Sequence, residues 1–414
     1  MTAERYDVAV IGAGIVGVST ALHILTRGKK VVLIDRKGVG LETSYGNAGV
    51  IGDNYILPFA FPALRRLPGI ALGGDTAARI HYRSIPRFLP WLAAFYRQSK
   101  REARLKNGKA LRALVTVAVN EHRRLAHNGS ERYLSPVGRA ALYRSYASFQ
   151  GDALERALAQ EAGVPFEISD AESFRTIEPH IRPIYRKAVR WVSGHRITNP
   201  GRLVAAHAER FVAEGGILKI ETAQSLEPEV SGWNIRTSAG AIGATHVVIC
   251  AGPWANDLLE PLGYNFPLGF KRGYHRHYRA ADGASLSHAI VDVDKGYLIT
   301  PMEQGYRITT GVEFAMPDAP PTPIQLARVL PYARELFPLT EPVEQNIWMG
   351  SRPCFPDSLP VIGATTRHSS LWLNIGHGHI GMTIGPASGR LIAEMMTGEK
   401  TFCDPTPYRA ERFG

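Results

Sequence analysis

The stretch Tyr6-Asp7-Val8-Ala9-Val10-Ile11-Gly12-Ala13-Gly14-Ile15-Val16-Gly17 decides how this chain folds. Asp7 to Ile11 is a short apolar run of the kind that forms a buried strand. Gly12, Gly14 and Gly17 complete a G-x-G-x-x-G. Val18 to Thr26 predicts a helix stopped by Gly28, and Lys30 to Ile34 predicts a second strand ended by Asp35. A βαβ unit of about thirty residues, with the glycines between strand and helix, is the context that a dinucleotide fingerprint requires. Gly12 makes the tight turn and Gly14 lets the backbone approach a pyrophosphate. Gly17 lets the helix lie close to the strand, while Ile15 and Val16 fill the turn between them. Unpaired N–H groups at the helix start suit phosphate oxygens. Asp35 suits ribose hydroxyls and argues against a 2′-phosphate, and hence against NADP; Arg36 softens that only slightly.

Working outward, the fingerprint's N-terminal placement favours FAD over NAD. A second feature agrees with it. Thr245 to Gly252 reads THVVICAG, followed by Pro253-Trp254, a buried strand that ends on small residues. Ala251 and Gly252 let backbone pass close to a ligand, with Trp254 beside it; the plainer reading is an ordinary core strand and turn. After the second strand, Thr43, Ser44 and Asn47 offer small polar groups for pyrophosphate or flavin, with Ala48 and Gly49 in the same loop, or else the stretch is a solvated loop. Gly376, His377, Gly378, His379 and Gly381 precede a predicted helix from Met382 to Met396 that also contains Thr383. Such a loop brings backbone N–H groups and a helix N-terminus towards a ligand edge, where positive potential stabilises an anion. The two histidines otherwise read as a turn-stabilising pair.

Composition narrows the field. With 414 residues, 45% hydrophobic and 21% charged, the chain is too long for one simple core and too apolar for disorder. Three cysteines without paired spacing exclude a disulfide framework and a zinc ribbon; they read as ordinary thiols, and no metal is expected. The N-terminus lacks the pattern of a secretory leader. No apolar run is long enough to span a membrane without a charge. The expected compartment is cytoplasmic.

These motifs together resemble the FAD-dependent D-amino-acid oxidase superfamily, which shares the N-terminal fingerprint, the late CAG-x-W strand and a C-terminal glycine-rich segment. Three stretches are similar to its bacterial D-amino-acid dehydrogenase branch: Leu41 to Gly49 (LETSYGNAG), Gly350 to Gly363 (GSRPCFPDSLPVIG) and Asn374 to Thr383 (NIGHGHIGMT). The resemblance runs from end to end. It implies a Rossmann-type α/β FAD-binding domain assembled from discontinuous segments, 1–58, 145–258 and 345–414. It also implies an α+β substrate domain with a mostly antiparallel sheet, from 59–144 and 259–344. Gly350 joins the cofactor set. Arg352 is placed where relatives hold an amino-acid carboxylate; an Arg beside Pro353 presents a rigid fork suited to bidentate contact, or to a buried ion pair. Cys354 does not match the position of a covalent flavin link, so noncovalent FAD is expected. Tyr274, Tyr278, Tyr297 and His379, with His275 and Tyr306, are candidates for the substrate pocket. For each, sheet packing is the alternative.

The implied chemistry is oxidative deamination of a D-amino acid, such as D-proline or a hydroxyproline, by hydride transfer to flavin N5. No protein base is needed. Electrons would pass to quinone or another acceptor. The alternatives are a glycine- or sarcosine-type oxidase using oxygen, a flavin subunit of a larger dehydrogenase complex, and an NAD-dependent dehydrogenase.

Charge is the remaining clue. The chain carries +11, and twelve basic residues against Asp75 and Glu102 between Arg65 and Arg112 account for +10 of it. Aromatics interleave with them, and Pro86 to Arg97 reads as an amphipathic helix with an interfacial belt. This 59–112 segment is expected to meet a membrane surface, or to be a solvated basic helix. No nucleic-acid module accompanies it, and nothing indicates an oligomeric state.

Overall fold

The computed structural model describes residues 5–52 and 55–413. Met1 to Glu4, at the start of the N-terminal reading, lie outside the described residues. Val31 to Asp35 and Gly240 to Ile249 are nearly continuous β-branched or apolar runs at their buried ends. That is the composition of strands covered on both faces. They join Arg5–Ile11, Ile217–Ile220 and Leu371–Ile375 in a parallel arrangement ordered 217, 31, 5, 240, 371 along the sheet. An antiparallel meander, Ala223–Glu229 and Gly232–Thr237, continues from the first half of Gly240–Ile249.

One face of this sheet is covered by the fingerprint helix Ile15–Leu25, the helix Pro200–Ala213 and the C-terminal helix Gly381–Thr397. Asn199 caps the second of these, accepting from the N–H of Arg202 at 3.1 Å. The opposite face carries a second core in which Trp233, Phe266 and Phe355 pack.

A second, larger sheet lies beside the first. Its long strand Gly269–Ala280 pairs with Trp348–Cys354, Gly305–Thr310, Val312–Phe314 and Leu339–Pro342, and the ladder runs on through Tyr297–Met302, Ala289–Asp292, Arg139–Tyr143, Lys187–Trp191 and Phe166–Ser169. Most pairs are antiparallel, as expected.

The domain boundaries differ from expectation in three places. Phe166–Ser169 and Lys187–Trp191, expected in the flavin domain, belong to the second sheet. So does Trp348–Cys354. Conversely, Arg101–Thr116 and Ala118–Leu125, expected in the substrate domain, bury Leu111, Leu114, Val115 and Leu125 in the fingerprint-helix core. Amphipathic periodicity shows that an element has a face to bury, but not which sheet receives it.

The basic amphipathic segment is corrected in the same way. Its helix forms, from Ile85 to Gln98, but Phe88, Trp91 and Phe95 turn inward, and Trp91 Nε1 donates to the carbonyl of Cys354 at 3.0 Å. The aromatic belt is therefore core. Leu64, Leu72, Tyr82, Leu89 and Tyr96 remain exposed. Among the described residues no helix is long and apolar enough to cross a membrane.

Candidate active site

The cradle begins at Gly12. Its φ of +107° lies in the region that favours glycine, and its N–H donates to Ile34 across the strand ends. A Cβ on Gly17 would stand 1.7 Å from the Gly12 carbonyl oxygen, so the helix can approach the turn only without a side chain there. The helix starts at Ile15, whose N–H donates to Ser44 Oγ at 3.0 Å. Asp35 accepts from the N–H groups of Ala13, Lys37 and Gly38 at 2.8 to 2.9 Å, which fixes its carboxylate at the mouth of the turn with acceptor capacity to spare. The Arg36 guanidinium lies 3.7 Å over the Trp254 ring, closing that end.

These groups open on one cavity of about 490 Å3. From the expected cofactor set, Gly12, Gly14, Ile15, Val16, Asp35, Arg36, Thr43, Ser44, Asn47 and Ala48 line it, as do Ala251, Gly252, Trp254, Gly350, Gly376, His377, Gly378, His379, Gly381 and Met382. Gly17, Gly49 and Thr383 stand behind the wall. Gly49 turns the loop at a φ of +71°, and the Thr383 hydroxyl donates to the carbonyl of Val50 at 3.3 Å. The loop is held from outside by buried Arg307, which donates to the carbonyls of Tyr45 and Asn47 at 2.9 and 2.5 Å. Sequence reasoning missed Glu221 to Gln224, Tyr55, Phe59 and Trp348, which also line the cavity. No motif marks them.

At the far end, Arg352 enters from the second sheet. Its guanidinium lies along the face of Gly273, where a Cβ would come 2.4 Å from Nη2. It donates to the carbonyls of Gly311 and Arg272 at 3.1 and 3.4 Å. Among the described residues it has no acidic partner. Burial lowers its pKa, yet the guanidinium stays charged at neutral pH. The Tyr55 phenol beside it is pushed up by burial and stays protonated. Tyr297 reaches the wall, but its hydroxyl donates to the carbonyl of Tyr332 at 3.1 Å.

Four of the expected pocket residues do not line the cavity, Tyr274 and Tyr278 among them. Tyr274 donates to Glu313 Oε2 at 2.6 Å, inside a buried Arg272–Glu313 ion pair, and Tyr278 packs in a separate core. The reason is strand parity. Alternate residues of Gly269–Ala280 face opposite sides, so Lys271 and Gly273 share the face of Arg352 while Tyr274 and Tyr278 look away. His275 stacks on Trp348 behind the wall, and Tyr306 bonds to the carbonyl of Ala284.

The two histidines of the C-terminal loop differ. His377 pairs through Nε2 with Ser388 Oγ at 2.9 Å, and burial lowers its pKa to about 3. His379 packs 4.7 Å from the Phe59 ring and is lowered well below the usual range by burial, then by Arg352 and Lys271. Both are neutral near pH 7, so the positive potential here comes from Arg352, Lys271, the loop N–H groups and the uncapped helix start at Gly381. Cys354 is a buried thiol pushed up by desolvation.

The arrangement fits an extended dinucleotide running from Asp35 to the C-terminal loop, with its far end beside the Arg352 guanidinium. Comparisons with known proteins agree. The family model described as FAD dependent oxidoreductase (DAO) matches residues 7–395. A D-amino-acid oxidase of Bradyrhizobium diazoefficiens is 30% identical over 99% of both chains. A D-amino acid dehydrogenase of the same organism is 27% identical over 98% of both. Among solved structures, glycine oxidase from Geobacillus kaustophilus superposes with a TM-score of 0.74 at 20% identity, covering 98% of each chain. The chain is a flavoenzyme of the DAO family, a FAD-dependent oxidoreductase.

Proposed function

We propose that this enzyme oxidises the Cα–N bond of an amino acid, most suitably a D-amino acid, to the imino acid, which water then hydrolyses. The observation that carries the reading is Arg352, a half-buried guanidinium in the cavity with no acid beside it among the described residues. Such a charge is costly unless a ligand supplies the anion, and a carboxylate matches its fork. The two curated relatives, named for D-amino acids, support the choice of enantiomer.

Bound FAD supplies the two-electron acceptor. Noncovalent binding fits the Cys354 thiol, which burial keeps protonated and unreactive. The chain's own residues bind and orient. Arg352 anchors the carboxylate, the Tyr55 hydroxyl adds a donor, and Phe59 with Trp348 excludes water. Neutral His377 and His379 offer no strong base, and none is required if the substrate amine binds uncharged. Backbone N–H groups at Gly376 to Gly381 stabilise negative charge developing at that edge of the cavity.

The test is a panel of D- and L-amino acids, including D-proline, with the holoenzyme. Flavin bleaching without oxygen by a D-amino acid is expected; bleaching by none would overturn the reading. A second reading concerns the acceptor, because one relative is named an oxidase and the other a dehydrogenase. Peroxide formation at rates matching turnover would mark an oxidase, and rapid dye or quinone reduction with little peroxide a dehydrogenase, the outcome we favour. A cytoplasmic enzyme docked on the inner membrane face fits that choice. Exposed Leu64, Leu72 and Leu89 stand in the basic 59–112 segment and supply apolar anchors among the cations. Flotation with anionic vesicles at low salt would detect docking, and its absence would remove it.

A further inference from the structure

Arg352 is not the only cation on its strand face. The register of Gly269–Ala280 against Trp348–Cys354 sets Lys271 directly opposite Arg352, so the two side chains leave the sheet on the same side. Lys271 is 3% exposed. Its ammonium lies 4.0 Å from the Phe95 ring and 5.3 Å from the Trp91 ring, and among the described residues it meets no carboxylate. It borders a small annex of about 20 Å3 that shares Tyr55, Phe59 and His379 with the main cavity.

Two like charges side by side repel each other, and buried Lys271 loses its hydration while half-buried Arg352 keeps only the cavity's. Burial and the Arg352 charge both push the Lys271 ammonium below its usual range. A fold does not retain such a pair for packing, since apolar residues of similar size would serve as well or better. Arg352 leans along Gly273 towards Gly311, while Lys271 leans towards the aromatic pair, so the cations flank a space. One carboxylate answers Arg352, and a second anionic group is needed to answer Lys271.

We propose that Lys271 is a specificity residue and that the preferred substrate is an amino acid bearing a second, distal carboxylate. This rests on the amino-acid reading above. The α-carboxylate sits on Arg352, the side-chain carboxylate reaches Lys271 through the annex, and the reacting Cα lies between them.

The test compares each acidic amino acid with its isosteric amide, glutamate against glutamine and aspartate against asparagine, in whichever enantiomer turns over. The holoenzyme should favour the acid in kcat/KM. Lys271→Met should cut the acid-to-amide ratio by about 10- to 100-fold, the worth of one charged hydrogen bond, and Lys271→Arg should restore part of it. Succinate, followed by its perturbation of the flavin spectrum, should bind more weakly to Lys271→Met by a similar factor, with acetate as the single-charge control. A ratio that favours the amide, or is unmoved by Lys271→Met, overturns the proposal. So does a variant that shifts only the flavin potential, which would assign Lys271 to the cofactor. If no amino acid bleaches the flavin, the amino-acid reading fails, and succinate binding still decides whether the paired cations hold a dicarboxylate.

Discussion

The dinucleotide cradle and the face that bears Arg352 border one cavity, but they are built in opposite ways. The cradle is backbone: contiguous residues 11–17, an Asp35 carboxylate already holding three N–H groups, and a helix start tied to Ser44. These bonds within the protein fix its shape in advance of a ligand. The strand face is side chain. It gathers Lys271, Gly273 and Arg352 from two strands about eighty residues apart, and its cations meet no acid among the described residues. The first region therefore binds by fit. The second presents cations that a ligand anion could answer, and the proposed specificity rests there.

Substitutions can break this contrast. The largest effect is expected at Gly17→Ala. A methyl group has no room against the Gly12 carbonyl, so the variant should lose FAD and most soluble yield, checked by the flavin absorbance of the purified protein. A yellow, stable Gly17→Ala would mean that the cradle adapts. Next comes Arg352→Ala, which should keep FAD while kcat/KM for amino acids falls by two to three orders of magnitude, roughly the cost of stripping one partner from a buried charged contact. Unchanged kinetics would remove Arg352 from the substrate.

Acid provides a third probe, aimed at the cradle side. His23, His207 and His377 are depressed to about 3 and His122 to about 4, in each case chiefly by burial. Above about pH 6.5 these imidazoles are neutral whether the chain is folded or unfolded, and they cost nothing. As pH falls from there towards the folded values, the unfolded chain takes up protons that the folded one refuses. Each group then removes about 1.4 kcal/mol of stability per pH unit. Urea midpoints should drop steeply between pH 6 and 4, with flavin release. His207→Leu should flatten that slope, because both ring nitrogens of His207 are buried without a hydrogen-bond partner among the described residues. Trp91→Ala, which leaves the cavity's charges in place, should cost stability alone, about 3–5 kcal/mol by thermal or urea unfolding. A near-neutral result would return that aromatic to the surface.

Much of the cradle was legible in advance. A turn, a close helix approach and a strand-end acid depend on neighbours in sequence, so G-x-G-x-x-G and Asp35 announce them. The loops at 43–49 and 376–383 were legible through family resemblance. Tyr55, Phe59, Glu221 to Gln224 and Lys271 were not, because nothing local distinguishes a tyrosine or lysine that faces a cavity from one that faces solvent. The helix Ile85–Gln98 is legible as amphipathic, with a membrane surface or a solvated basic helix as the two readings of its segment, but it is not legible that Phe88, Trp91 and Phe95 cover Lys271 and Phe314.

The sequence by itself determined the cradle, because it is written in contiguous residues whose spacing mirrors backbone geometry; the flavoenzyme class and the candidate Arg352 came from it through family resemblance. Only the tertiary structure decided which side chains face the cavity. Strand pairing has a period of two, so a single step of register exchanges Lys271 and Gly273 for Arg272 and Tyr274. That step is set by contacts between segments far apart in the chain, which a pattern read along one strand does not contain.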